Sequence, residues 1–77
     1  MSDYLARLRN EHEAACSYIR NVRRIASQYA TWAREGGKHV DHYNREANRL
    51  RSDVRWHIGF VRRRREEIIR LTERDAA

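Results

Sequence analysis

Arginine dominates the reactive side chains of this sequence. Of 17 basic residues, 16 are Arg and only Lys38 is Lys. The planar guanidinium forms two parallel hydrogen bonds to a phosphate or carboxylate, which an ammonium does not. A GC-rich coding sequence would produce the same bias, so position has to carry the argument. Arg51, Arg55, Arg62 and Arg65 recur at helical spacing and share one face, and Arg9, Arg20 and Arg23 are expected to face the same way from an earlier segment. Arg63 belongs to the unbroken run Arg62-Arg63-Arg64-Arg65 beside them. A surface of this kind suits a nucleic-acid backbone, DNA or RNA, with counterion release supplying most of the affinity. Trp56 stands close to the run in sequence and would serve to stack on a base. The competing readings are an adaptor or inhibitor gripping an acidic protein surface, a small structural or assembly subunit of a larger helical array, and a plain solvated helix face. In the last case Glu66 and Glu67 would pair with Arg62, Arg63 and Arg70.

A second constellation is His12, Cys16 and His57. Imidazole and thiolate at i,i+4 with a histidine opposite could hold zinc, but a fourth ligand is missing. Histidines that set the register of a helix pair at some cost in stability explain the pattern more simply. His39 and His42 read as solvated residues beside a turn. We therefore expect no metal and no cofactor. No Ser/His/Asp or Cys/His group with an orienting acid is present, nor a phosphate loop, and two helices wall no pocket. The reading is of a non-enzyme without a small-molecule substrate. The long helices described below leave no helix-turn-helix, and zinc-finger cysteines and RNP patterns are absent, so recognition of backbone and shape is expected rather than base readout.

These side chains need a scaffold, and the spacing of apolar residues specifies one. Leu5, Leu8, His12, Ala15, Ile19, Val22, Ala26, Tyr29 and Ala33 follow alternating steps of three and four. Val40, Tyr43, Ala47, Leu50, Val54, His57, Val61, Arg64, Ile68 and Leu71 continue the rule. These are the a and d positions of heptads. Between the two series lies Gly36-Gly37, the only paired glycine in a chain without proline. Folding there pairs Ala33 with Val40, Ala26 with Ala47, Ile19 with Val54, His12 with Val61 and Leu5 with Ile68. It also pairs Tyr29 with Tyr43, Val22 with Leu50, Ala15 with His57 and Leu8 with Arg64. The predicted fold is all-α: an antiparallel, coiled-coil-like helical hairpin forming a single domain over 1–77. Helix 1 is expected over about 3–35, the turn at 36–37 and helix 2 over about 38–74. Ser2 reads as an N-cap, and Gly59 or Ser52-Asp53 could interrupt helix 2.

The two flanks of the seam differ. At the g positions stand Tyr4, Glu11, Tyr18, Ile25 and Trp32 on helix 1, with His39, Glu46, Asp53, Phe60 and Glu67 on helix 2. Tyr4, Tyr18, Ile25, Trp32 and Phe60 form an apolar edge that two helices cannot cover. It predicts a homodimer forming a four-helix bundle, or a heterologous protein in its place. At the e positions Arg9 should lie beside Arg65, and Arg23 beside Arg51, repelling one another.

Composition sets the remaining limits. Seventy-seven residues bury only about 60% of their unfolded surface, so a lone core is thin. The net charge is +6, with one Cys and no apolar run of membrane-spanning length. The arginine stripe has no continuous apolar face opposite it, which argues against a lipid surface. Met1-Ser2-Asp3-Tyr4 lacks the form of a signal peptide. A cytoplasmic, reducing location is expected.

Overall fold

A computed structural model describes residues 2–76, and among them the chain forms two helices, α1 (Ser2–Glu35) and α2 (Val40–Ala76). They pack side by side as the helical hairpin that the heptads require. Asp3 lies in the first turn of α1, where the positive end of the helix dipole favours an anion, and Arg34 and Arg74 occupy the last turns of α1 and α2. The Ser2 side chain lies outside the described residues.

The reversal takes four residues rather than two. Gly36 and Gly37 both adopt positive φ, at 85° and 101°, a region that a side chain disfavours. The Gly36 N–H donates to the Ala33 carbonyl at 3.2 Å, closing α1. Two left-handed residues turn the chain but do not yet aim it back along α1, so Lys38 and His39 complete the loop. The first backbone bond of the new helix runs from the Tyr43 N–H to the His39 carbonyl at 3.0 Å. His39 therefore sits at the cap position, and α2 starts at Val40 instead of near 38. It then continues without a break through Ser52-Asp53 and Gly59, two residues past the expected end. An added Cβ at Gly59 would meet only the Arg63 side chain, at 3.6 Å, so no packing demand singles out this glycine.

The core is one seam. Leu8, Ile19, Val22, Ala26, Ala47 and Val54 are buried, all at predicted a or d positions. Ile19, Val22 and Val54 pack together, with Leu50, Ile58 and Val61 half-buried against them. Ala26 and Ala47, partners in the predicted register, are 3% and 2% exposed. Near the turn the seam becomes aromatic. Tyr43 lies 6.1 Å from Tyr29 and 5.5 Å from Trp32, between ring centroids, and His39 and His42 also approach it. At the far end Arg64 occupies a d position opposite Leu8. Its guanidinium swings out over the Phe60 ring, 5.0 Å from the centroid, and donates to Glu67 at 3.1 Å. Its Nε stays buried without a hydrogen bond.

With so few buried side chains, each carries a large share of the stability. Ile19→Ala should lower the unfolding free energy by about 2–5 kcal/mol, read from urea denaturation followed by circular dichroism. A loss under about 1 kcal/mol would place the core elsewhere than this seam.

Candidate nucleic-acid interface

The hairpin separates charge from aromatic surface by helical position. The e positions and the adjoining b positions form one flank. It carries Arg9, Arg20, Arg23, Arg34, Arg51, Arg55, Arg62 and Arg65 against two carboxylates, Glu13 and Asp41. Eight charges less two leave six, so this flank holds a surplus equal to the +6 of the entire chain. All eight arginines are exposed. None makes an ion pair among the described residues, where the Arg–carboxylate bridges are Arg49–Glu46 and Arg64–Glu67. The pairing of Glu66 and Glu67 with Arg62, Arg63 and Arg70 that a plain solvated face would show does not form among the described residues. Glu67 stands at a g position on the aromatic flank and takes Arg64, three residues before it, while Arg62 and Arg65 project on the opposite flank.

Hydroxyl groups orient several of these side chains. Arg20 donates to Ser17 at 3.0 Å and Arg55 to Ser52 at 3.0 Å, each reaching one turn back along its own helix. Arg34 donates to Thr31 at 3.1 Å. A hydroxyl accepts the hydrogen bond without cancelling the charge. Arg23 and Arg51, one from each helix, line a shallow groove with Arg55, and Ala26, Val54 and Ile58 supply its apolar surface. Arg9 departs from the expected juxtaposition with Arg65. Its guanidinium reaches Thr72 at 3.3 Å, one heptad further along α2, which eases the repulsion. Arg63 also parts from the group: it sits at a c position and lines a different depression, with Phe60, Arg64, Glu66, Glu67 and Arg70.

Trp56 does not belong to the arginine flank. It is 61% exposed, stacks on Phe60 at 6.1 Å with 11° between the planes, and meets His57 edge-on at 4.9 Å. A c position lies beside the g edge, which puts Trp56 with the aromatic residues across the seam from Arg51 and Arg55. Position along the heptad is the signal that identifies it, and closeness to the arginine run in sequence is misleading.

The aromatic flank collects the other predicted residues and ties the two helices together. The Tyr18 hydroxyl donates to Asp53 at 2.5 Å and the Tyr4 hydroxyl to Glu67 at 2.7 Å. Tyr18 also lies 4.6 Å from the His57 ring. Ile25 and Trp32 stay 47% and 40% exposed. Phe60 is half-buried between Trp56 and Arg64. The two bridges repeat after two heptads and pair positions that face each other across the g edge, a pattern present in the heptads though not evident from residue type alone. Hydrogen bonding to these carboxylates raises the pKa of both tyrosines above the usual 10.0. Glu67 is held below the usual carboxylate range by the Tyr4 hydroxyl and then by Arg64, and Glu46 by Arg49.

The histidine and cysteine candidates are engaged separately. His12 and Cys16 approach within 3.9 Å of each other, while the His57 Nδ1 lies 2.9 Å from the Asp53 carbonyl oxygen and 3.4 Å from its carboxylate. No group of three His, Cys, Asp or Glu able to hold a metal occurs among the described residues, and no described helix is long and apolar enough to cross a membrane. Comparison of the chain with protein-family models, curated proteins and solved structures found no match.

The shifted groups predict how stability varies with pH. Glu46 and Glu67 have lowered folded-state values, so their contribution is complete above about 4.5 and is lost as pH falls through the folded values. Tyr4 and Tyr18 have raised values, so their contribution holds below 10.0 and is lost as pH rises beyond it. The melting temperature should be highest between these limits and decline on both sides. In a Tyr4→Phe/Tyr18→Phe variant the alkaline decline should be shallower. An unchanged alkaline limb would mean that the two bridges do not join the helices in solution.

Proposed function

We propose that this protein binds nucleic acid through its arginine flank, without catalysis, by contacting backbone phosphates. The observation that carries the reading is the segregation of charge. Eight exposed arginines stand on one side, none neutralised by a carboxylate within the described residues. Arg51 and Arg55 are like charges one turn apart on α2, and such neighbours cost an isolated helix about 0.2–0.5 kcal/mol per pair. A polyanion turns that cost into affinity, because each phosphate contact releases condensed counterions. Arg51, Arg55, Arg62 and Arg65 form the centre of the proposed contact, with Arg9, Arg20 and Arg23 in support. Contacts of this kind position a protein on a duplex or folded RNA and carry little base information. The flat groove and the absence of Trp56 from this flank agree with sequence-tolerant binding. We place the protein in the cytoplasm, where its single cysteine stays reduced.

The test is fluorescence anisotropy of labelled duplex DNA and structured RNA at about 50 and 200 mM salt, a range over which several phosphate contacts cost tenfold or more in affinity. The variant with Arg51, Arg55, Arg62 and Arg65 all replaced by Ala should bind more weakly and lower the salt slope by about 4, one for each phosphate contact. Alanine favours helix, so circular dichroism should show the hairpin retained. Equal affinity in the variant would put the contact elsewhere. No binding of the natural chain at the lower salt would reject nucleic acid and make an acidic protein the partner of this flank.

A further inference from the structure

The aromatic flank has the size, position and charge pattern of a surface made to meet itself. It runs along a hairpin whose extents are 60 × 15 × 13 Å, an outline able to supply the roughly 800 Å² per partner that a stable interface buries. Its apolar centre lies at the middle of the rod. Tyr18 is at the midpoint of the 34-residue α1, and Trp56 and Phe60 bracket that of the 37-residue α2. These three line an open groove together with Ala14 and Ala15, whose short side chains leave room for an incoming ring. Trp, Tyr and Phe are the residue types that interface centres favour.

Charge decides between a second copy and any other occupant, and also sets the direction of approach. Across the g and c positions as a whole, Arg and carboxylate numbers are equal, so two such flanks do not repel each other, whereas two arginine flanks would. Along the rod the balance is uneven. The half nearer the turn carries Glu35, Glu46 and Asp53 against Arg49. The half nearer the helix ends carries Arg7, Arg63, Arg70 and Arg74 against Glu11 and Glu67. One half is two charges negative and the other two positive. Two copies with their turns at the same end would oppose like halves. Two copies with turns at opposite ends place each negative half over a positive one, with the Trp56 groove on the two-fold axis. A symmetric interface of this type is self-complementary and closed.

We infer that a second copy of the chain covers the aromatic flank in the antiparallel sense, giving a four-helix particle whose two arginine flanks point outward on opposite sides. The pairing does not rest on the nucleic-acid reading and is tested with no nucleic acid present. Sedimentation equilibrium of the full chain at low micromolar concentration should give twice the chain mass of 9.3 kDa. Trp56→Glu should halve that mass while the helical circular dichroism is kept, because this side chain stands outside the seam. Ile25→Glu, on the same flank, is the second variant. A natural chain that sediments as a monomer overturns the inference and leaves the flank to a different protein. A dimer that survives both variants overturns the assignment of the flank. Direction is read with a nitroxide on Lys38→Cys in a Cys16→Ser background. A spin–spin distance near the 60 Å length of the rod is expected, and a short one, as adjacent turns would give, overturns the antiparallel arrangement.

Discussion

The register of one apolar seam governs where every other side chain of this protein points. In a helix a displacement of one residue rotates a side chain by about 100°. A slip of α2 against α1 by a single position would therefore turn Ala47 and Val54 out of the core and carry the arginines off their flank. The seam that prevents this is thin: Ile19, Val22 and Val54 at its centre, with Ala26 and Ala47 buried nearer the turn. It is supported from outside by the Tyr18–Asp53 and Tyr4–Glu67 bridges, which join the helices at two levels. Exposed hydrogen bonds of this type add little stability each, but both are satisfied only in the native register. Register here is specified by apolar layers and confirmed by polar contacts, two on the aromatic flank and one, Arg9 to Thr72, on the other.

The other side has one such contact, from Arg9 to Thr72, and its remaining arginines lean on hydroxyls of their own helix or on solvent. Ser17, Ser52 and Thr31 accept hydrogen bonds from Arg20, Arg55 and Arg34 without altering the local charge. A carboxylate at any of these positions would have made a stronger bond and a neutral surface. The two flanks thus divide the work: one holds the helices together, and the other keeps its charge.

Much of this architecture was legible in the sequence. Alternating steps of three and four, interrupted only at Gly36-Gly37, contain both helices, the turn and the burial of Ala26 and Ala47. The loop length was not, because Lys38 and His39 are compatible with helix and only the geometry of two consecutive left-handed glycines excludes them from it. The arginine flank was visible as spacing, but its contents needed heptad position. Arg62 and Arg65 face one way and Arg63 the other, although all three are neighbours in one run. Trp56 leaves the arginine flank for the same reason, since adjacency in sequence is separation by about 100° around a helix. The route of Arg9 to Thr72 depends on a flexible side chain choosing a neutral acceptor over a like charge, a choice that backbone periodicity does not encode.

The elongated shape also affects how the molecule moves through water. A compact chain of this length has a radius of gyration near 11–12 Å, whereas the hairpin reaches 17.4 Å. Frictional drag follows the long dimension, and tumbling about the short axes is slow. A single copy will therefore diffuse, and elute from a gel-filtration column, like a globular protein of considerably greater mass. Only methods that weigh the particle independently of its shape can count its chains.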